Sequence, residues 1–140
     1  MDILKGKTLI KYIQTNHLKE SDAQDIFRSI GWDVPQHKSE FFDENQTQIC
    51  AFDKDKLVGF ISGFQRRLDS QGDVAYISFV CVVPSHQGLG IGKQLLERFR
   101  KKFADKVLYF LVSSYAKSDA FYEKCGFSYD EDSKMMIAKA

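Results

Sequence analysis

The stretch from Val74 to Val83 (V-A-Y-I-S-F-V-C-V-V) constrains this chain most. Read as a strand, it puts Tyr76, Ser78, Val80 and Val82 on one face. Ala75, Ile77, Phe79, Cys81 and Val83 fall on the other. Both faces are largely apolar, so both must be covered, which makes the strand central in its sheet. Pro84 stops it, because proline has no N–H to give to a ladder. A strand covered on both sides demands helices above and below, hence an α/β fold, more closely an α+β mixed sheet with helices packed on it. At 140 residues the chain is one domain, 1–140. A domain of that size buries roughly 65–70% of its unfolded surface, enough for a real core.

The rest of the chain supplies the other elements. Residues 8–13 read as a first strand. Leu18, Ala23, Ile26, Phe27 and Ile30 recur at helical spacing over 18–30, and Gly31 is placed to end that helix. A weaker helix over 36–44 turns Phe41 and Phe42 inward. Residues 46–52 and 57–67 form a hairpin around Asp53-Lys54-Asp55-Lys56, followed by a polar loop at 68–73. After the central strand, a helix running to about residue 103 carries Ile91, Leu95, Leu96, Phe99 and Phe103 on one face. A buried strand at 107–113, a short helix at 116–125 ended by Gly126, and strands at 127–129 and 134–138 complete the order βααβββαβαββ.

Composition removes several classes of function. Twenty Lys and Arg against nineteen Asp and Glu leave a net charge of +1, without the basic excess that nucleic-acid binding requires. No apolar run approaches the roughly 18 residues of a membrane span, and the N-terminus lacks a signal-peptide pattern. Cys50, Cys81 and Cys125 are odd in number, widely spaced and without metal-ligand spacing. They read as buried, reduced thiols of a cytoplasmic protein that holds no metal.

Between Pro84 and the following helix lie Gly88, Gly90 and Gly92. Glycine lets backbone N–H groups approach a ligand closely and adopt positive φ, and the helix points its positive end at the same place. Such a loop holds an anion, most naturally a phosphate; the competing reading is a tight turn with no ligand. A dinucleotide loop G-x-G-x-x-G fails because Lys93 stands at the third glycine. A Walker loop fails because Gln87 and Gln94 replace its first Gly and its Ser/Thr.

Gln87-Gly88-Leu89-Gly90-Ile91-Gly92 resembles the Arg/Gln-x-x-Gly-x-Gly/Ala signature of the GCN5-related N-acetyltransferases. The flanking Val82-Val83-Pro84 and Leu95-Leu96 are similar to that family too. So is Ala120-Phe121-Tyr122-Glu123-Lys124-Cys125-Gly126-Phe127, which matches its F-Y-x-x-x-G-F segment. The resemblance implies the family's acyl-CoA N-acyltransferase fold and acetyl-CoA as co-substrate. It implies that the amides of Gln87, Gly88, Leu89, Gly90, Ile91, Gly92 and Lys93 wrap the pyrophosphate. Phe79, Val80, Cys81 and Val82 would pair with the pantetheine arm, with Ser118 and Phe121 also at the cofactor. The strand at 74–83 would splay from that at 107–113, and an amide near Cys81 or Val82 would polarise the thioester carbonyl. Tyr122 matches the family's general acid, a phenol able to protonate a departing thiolate.

The base is open between Glu40, Glu44, His86 and ordered water; His86 reads mainly as a solvated linker residue. Tyr115 stands where many relatives have an Asn, which puts that coenzyme contact in doubt. Cys81 as an acyl-carrying nucleophile is disfavoured for want of a base. Arg98, Arg100, Lys101 and Lys102 read as a solvated helix face. Acceptor recognition would come from about 27–45 and 128–135, with Phe27, Trp32, Phe41, Phe42 and Tyr129 as aromatics, or as core, and Asp33, Glu40, Asp43, Asp130, Glu131 and Asp132 as carboxylates, a set suited to a cationic amine. The expectation is transfer of acetyl to a small primary amine by direct attack on the thioester. The alternatives are a protein acetyltransferase acting on an N-terminus or a lysine, and a non-catalytic acyl-CoA sensor. The resemblance is compatible with a homodimer.

Overall fold

The computed structural model describes residues 2–4, 8–15, 18–31, 46–68, 72–112, 118–129 and 135–140. In chain order the elements are β1 (Asp2–Leu4), β2 (Thr8–Thr15), α1 (Glu20–Ser29), β3 (Thr47–Asp53), β4 (Lys56–Leu68), β5 (Gly72–Val82), a 3-10 turn (Pro84–His86), α2 (Ile91–Phe103), β6 (Tyr109–Val112), α3 (Asp119–Lys124), β7 (Ser128–Tyr129) and β8 (Met136–Lys139). The strands form one mixed sheet in the order β1-β2-β3-β4-β5-β6-β8-β7. Every neighbouring pair is antiparallel except β5 and β6. That parallel pair needs a crossover, and α2 supplies it. β1, which adds an edge strand by pairing with β2, is absent from the sequence-derived order. The helix expected over 36–44 lies outside the described residues.

Each face of the sheet carries its own core. On one, Ile91, Leu95, Leu96, Phe99 and Phe103 of α2 pack against Ile49, Val58, Ile61 and Phe110. On the other, Ala23, Ile26 and Phe27 of α1 pack against Cys50, Phe60 and Cys81. Helix α1 ends as the sequence suggests: Gly31 takes φ +77°, and its N–H donates to Arg28 O at 3.1 Å. Two strand glycines let α2 lie close. A Cβ on Gly59 would meet Cys81 O at 2.8 Å and Leu95 Cδ1 at 3.5 Å; one on Gly63 would meet Phe99 Cζ and Tyr76 O, both at 2.5 Å.

Strict alternation along 74–83 does not hold. Ser62 pairs with Phe79 and Gly63 with Ile77, so Ser78 is an extra residue, a β-bulge. A one-residue insertion reverses the phase of a period-two pattern. Ala75 and Ile77 therefore share the α2 core with Val80 and Val82. Phe79 and Cys81 join the α1 core instead. The basic face of α2 is corrected as well. Arg100 is half-buried; its Nη1 donates to Cys125 O at 2.6 Å and its Nη2 to Lys139 O at 3.3 Å, with Phe127 beneath the guanidinium. It ties α2 to the carbonyl end of α3. The Arg98 guanidinium sits 4.3 Å from the centre of the Tyr12 ring.

Candidate functional site

The site begins where β5 parts from β6. Their ladder runs from Val74–Tyr109 to Ile77–Val112. Beyond the bulge, Phe79 to Val82 pair with β4, and among the described residues with no strand on the other side. Val83 N donates to Val58 O at 2.9 Å, so Val83 and Cys81 turn their backbone groups toward β4. By the alternation of an antiparallel ladder, Val80 and Val82 turn theirs toward the opening. The carbonyl of Val82 accepts the Gln87 side-chain amide at 2.9 Å. Of the amides expected near the reacting carbonyl, that of Val82 faces the opening and that of Cys81 does not.

The glycine loop follows at once. Gly88 and Gly90 have φ of +79° and +85°, and a Cβ on either would meet no atom within 4 Å. They are needed for backbone conformation and leave an open surface above the loop. Among the described residues, the amides of Gly88 through Lys93 donate to no backbone carbonyl, and the first such bond is Gln94 N to Gly90 O at 3.0 Å. These free donors sit at the positive end of a helix 13 residues long. Gly92 seats the helix against α3, where its Cβ would lie 3.3 Å from the Phe121 ring. Lys93 reaches along the helix surface to Glu97 at 4.0 Å.

His86 is not a solvated linker residue. Its Nε2 lies 2.8 Å from an Asp53 carboxylate oxygen and its Nδ1 2.8 Å from Ser85 Oγ. Only a ring N–H can face that carboxylate, so Nε2–H donates to Asp53 and, in the neutral ring, Nδ1 accepts from Ser85. The pair braces the loop to the β3–β4 turn and holds His86 in a structural contact. Sequence spacing gives no hint of it, since 33 residues separate the partners.

Tyr122 is buried in the short helix α3, edge-on to Phe121 at 5.1 Å and Phe127 at 5.6 Å. Burial pushes its pKa well above the phenol range, reinforced by Cys81, Cys125 and Tyr76. Those influences place Cys81 and Tyr76 of β5 around it. Among the described residues its hydroxyl has no hydrogen-bond partner. Ser118 caps the same helix, half-buried and without a side-chain cap bond. Cys81 is 2% exposed, and desolvation raises its thiol far above the usual range, which leaves it a packed thiol and no nucleophile.

One polar group was not anticipated. Gln46 and Ser62 are buried, and the Gln46 Oε1 accepts from Ser62 Oγ at 3.0 Å and Ser78 Oγ at 3.4 Å. The available signal was polar residues inside otherwise apolar strands.

The structure thus brings Phe79–Val82, Gln87–Lys93, Ser118, Phe121 and Tyr122 to one end of the sheet. Phe27 is removed from the acceptor set, since it is fully buried between Phe60 and Phe79. Tyr129 is exposed and donates to Asp119 at 2.6 Å. Trp32, Asp33, Glu40, Phe41, Phe42, Asp43, Glu44, Tyr115, Asp130, Glu131 and Asp132 lie outside the described residues. A cavity of about 630 Å³ between α1 and the β3–β4 turn, lined by Asp22, Asp25, Asp55 and Ser85 among others, includes neither the glycines nor Tyr122. Among the described residues, no group of three metal-ligating side chains converges, and no helix is long and apolar enough to cross a membrane.

Solved structures share this architecture. A GNAT-family acetyltransferase from Streptococcus pneumoniae superposes with a TM-score of 0.71 at 21% identity, over 86% of this chain and 89% of that one. One from Staphylococcus aureus gives 0.75 at 16% identity, over 94% and 99%. A chain of the NatC complex, solved with Gag peptide and CoA, gives 0.76 at 16% identity, over 94% and 98%. At such identities the likeness concerns the fold. A search of curated protein sequences finds no match. The family model for the GNAT acetyltransferases matches residues 11–127, which takes in α1, the opened strand, the glycine loop and Tyr122. By that match, this chain belongs to the GNAT acetyltransferase family.

Proposed function

We propose that the chain transfers the acetyl group of acetyl-CoA to a small primary amine. Membership in the family implies acyl-CoA-dependent N-acetylation; the acceptor and the residue roles are this reading's own. The observation that carries it is the set of unpartnered amides from Gly88 to Lys93, beside the opened length of β5. That cradle suits a pyrophosphate: it offers N–H donors, a helix N-terminus and open space above two glycines. Bound there, acetyl-CoA would supply an activated acetyl thioester and a thiolate leaving group.

The chain's residues then divide the work. Gly88 through Lys93 hold the phosphates; the Gln87 amide, expected in the same cradle, instead donates to Pro84 O at 3.3 Å. Phe79 to Val82 line the extended arm, with Val80 and Val82 turning their backbone groups toward it and the Val82 amide placed to receive negative charge on the carbonyl oxygen. Ser118 and Phe121 wall the cofactor side. Tyr122 donates its hydroxyl proton to the departing sulfur, and its buried setting keeps that proton in place at neutral pH. Three unpaired cysteines suit a reducing compartment, so the cytoplasm is the place proposed for it.

A polypeptide amine is the second reading, favoured by the likeness to the NatC chain solved with a peptide. The test is thiol release from acetyl-CoA across a panel of small primary amines and short peptides. Release with a small amine is expected. Tyr122→Phe should lower kcat by about 100-fold, the low end for general acid catalysis, with acetyl-CoA affinity unchanged. Release with peptides alone would move the assignment to the second reading. Full activity of Tyr122→Phe at every pH would remove Tyr122 from the mechanism.

A further inference from the structure

The polar group at the bulge asks for a reason to exist. Gln46 and Ser62 are 5% and 1% exposed, in a layer otherwise filled by Phe60, Phe79 and Cys81. Burying an amide and a hydroxyl among apolar side chains costs free energy that packing alone does not return. All three side chains lie on the α1 face of the sheet, and Ser78 is the bulged residue, the first beyond the β5–β6 ladder. Ser78 is also the least buried of the three, so its hydroxyl is the group's outlet. With Gln46 Oε1 accepting the hydroxyl protons of both serines, the Ser78 lone pairs point away from Gln46. The outlet is therefore an acceptor beside the point where β5 parts from β6, where acetyl transfer is placed. A hydroxyl there can receive an N–H and cannot take up a proton.

We propose that Ser78, oriented by Gln46 and Ser62, receives the N–H of the acceptor amine, and that this site takes the amine already neutral. The inference rests on the acetyltransferase reading above. Among the described residues, the titratable groups around this face are Tyr76 and Cys81 on β5, Tyr122 on α3, Cys50 on β3, and Asp22 on α1, which acts on Cys50. None of the first four is a carboxylate, and Asp22 lines the separate cavity beside α1. The chemistry balances without a base: a C–N bond forms, the C–S bond breaks, and the proton lost by nitrogen equals the proton gained by sulfur.

The test measures kcat and KM against pH for phenethylamine and for the much less basic trifluoroethylamine. Wild type, Ser78→Ala and Ser78→Thr are compared, with acetyl-CoA titrated into each by calorimetry. The expected result is an acidic limb of kcat/KM that moves with the basicity of the amine. Ser78→Ala should raise the amine KM roughly five- to tenfold, the worth of one hydrogen bond, while Ser78→Thr restores it. Acetyl-CoA affinity and melting temperature should stay near wild type in both variants. A limb that stays fixed for both amines would reveal a protein base and overturn the proposal. So would an unchanged amine KM in Ser78→Ala, or bound acetyl-CoA that neither amine discharges. Absence of acetyl-CoA binding in the wild type would overturn the acetyltransferase reading and this inference with it.

Discussion

Gly63 offers a direct test of how α2, and with it the glycine loop, is held on the sheet. In Gly63→Ala the new methyl would lie 2.5 Å from Phe99 Cζ and 2.5 Å from the Tyr76 carbonyl oxygen. Neither obstacle is a free side-chain end. Phe99 is fully buried and stacked near Phe103 and Phe110, and the carbonyl belongs to the paired strand. Overpacking typically costs about 1–3 kcal/mol, and two hard contacts with one to backbone place this change near 3. At about 3–4 °C per kcal/mol for a chain of this size, the melting temperature should fall by about 10 °C. Gly88→Ala is the control, because its methyl meets nothing within 4 Å and only φ +79° opposes it. That left-handed conformation costs an L-residue about 1–2 kcal/mol, so its melt should fall by about 3–8 °C. Thermal melts of the two variants and wild type, followed by circular dichroism, decide the matter. Gly63→Ala melting with wild type, or above Gly88→Ala, would refute the close-packing argument.

Alkaline pH should destabilise the fold. Burial, aided by Asp22, raises the Cys50 thiol from 9.0 to about 11, and Cys81 and Tyr122 are pushed up further. The folded chain therefore keeps protons that the unfolded chain releases, so stability is full below about pH 9 and falls as pH climbs toward 11. A urea midpoint lower at about pH 10.5 than at about pH 8 is expected; an equal or higher one contradicts the burial of these groups. His86→Ala removes the 2.8 Å contact to Asp53 that braces the loop. It should cost about 1–3 kcal/mol and weaken acetyl-CoA binding, and unchanged melting and affinity would show the brace to be idle.

Much of this arrangement was legible in the residues. The glycine loop, the buried face of α2 and the C-terminal stop at Gly31 follow from local rules of φ, helical period and capping, and all three stand in the structure. The faces of β5 did not follow. Period-two reading assumes an unbroken ladder, and an inserted residue at Ser78 is visible only once β4 is paired against it. Arg100 shows the same limit in charge patterning: a basic run looks solvated until the fold brings the carbonyl end of α3 within 2.6 Å. Gly59 and Gly63, inside an apolar strand, carried a readable sign of close approach that local propensity alone does not interpret. The His86–Asp53 contact and the Gln46–Ser62–Ser78 group join distant segments; polar residues in apolar strands hint at the second, but spacing does not say that they meet.

The central claim is that the amides of Gly88 to Lys93 form a coenzyme A cradle. Calorimetric titration of acetyl-CoA, CoA, ATP and NAD, each separately into the purified protein, tests it most directly. Binding of both CoA species, with ATP and NAD silent, is the predicted result. Binding of neither CoA species, or of ATP or NAD in preference to them, would contradict it and return Gly88, Gly90 and Gly92 to the role of a strand-to-helix turn.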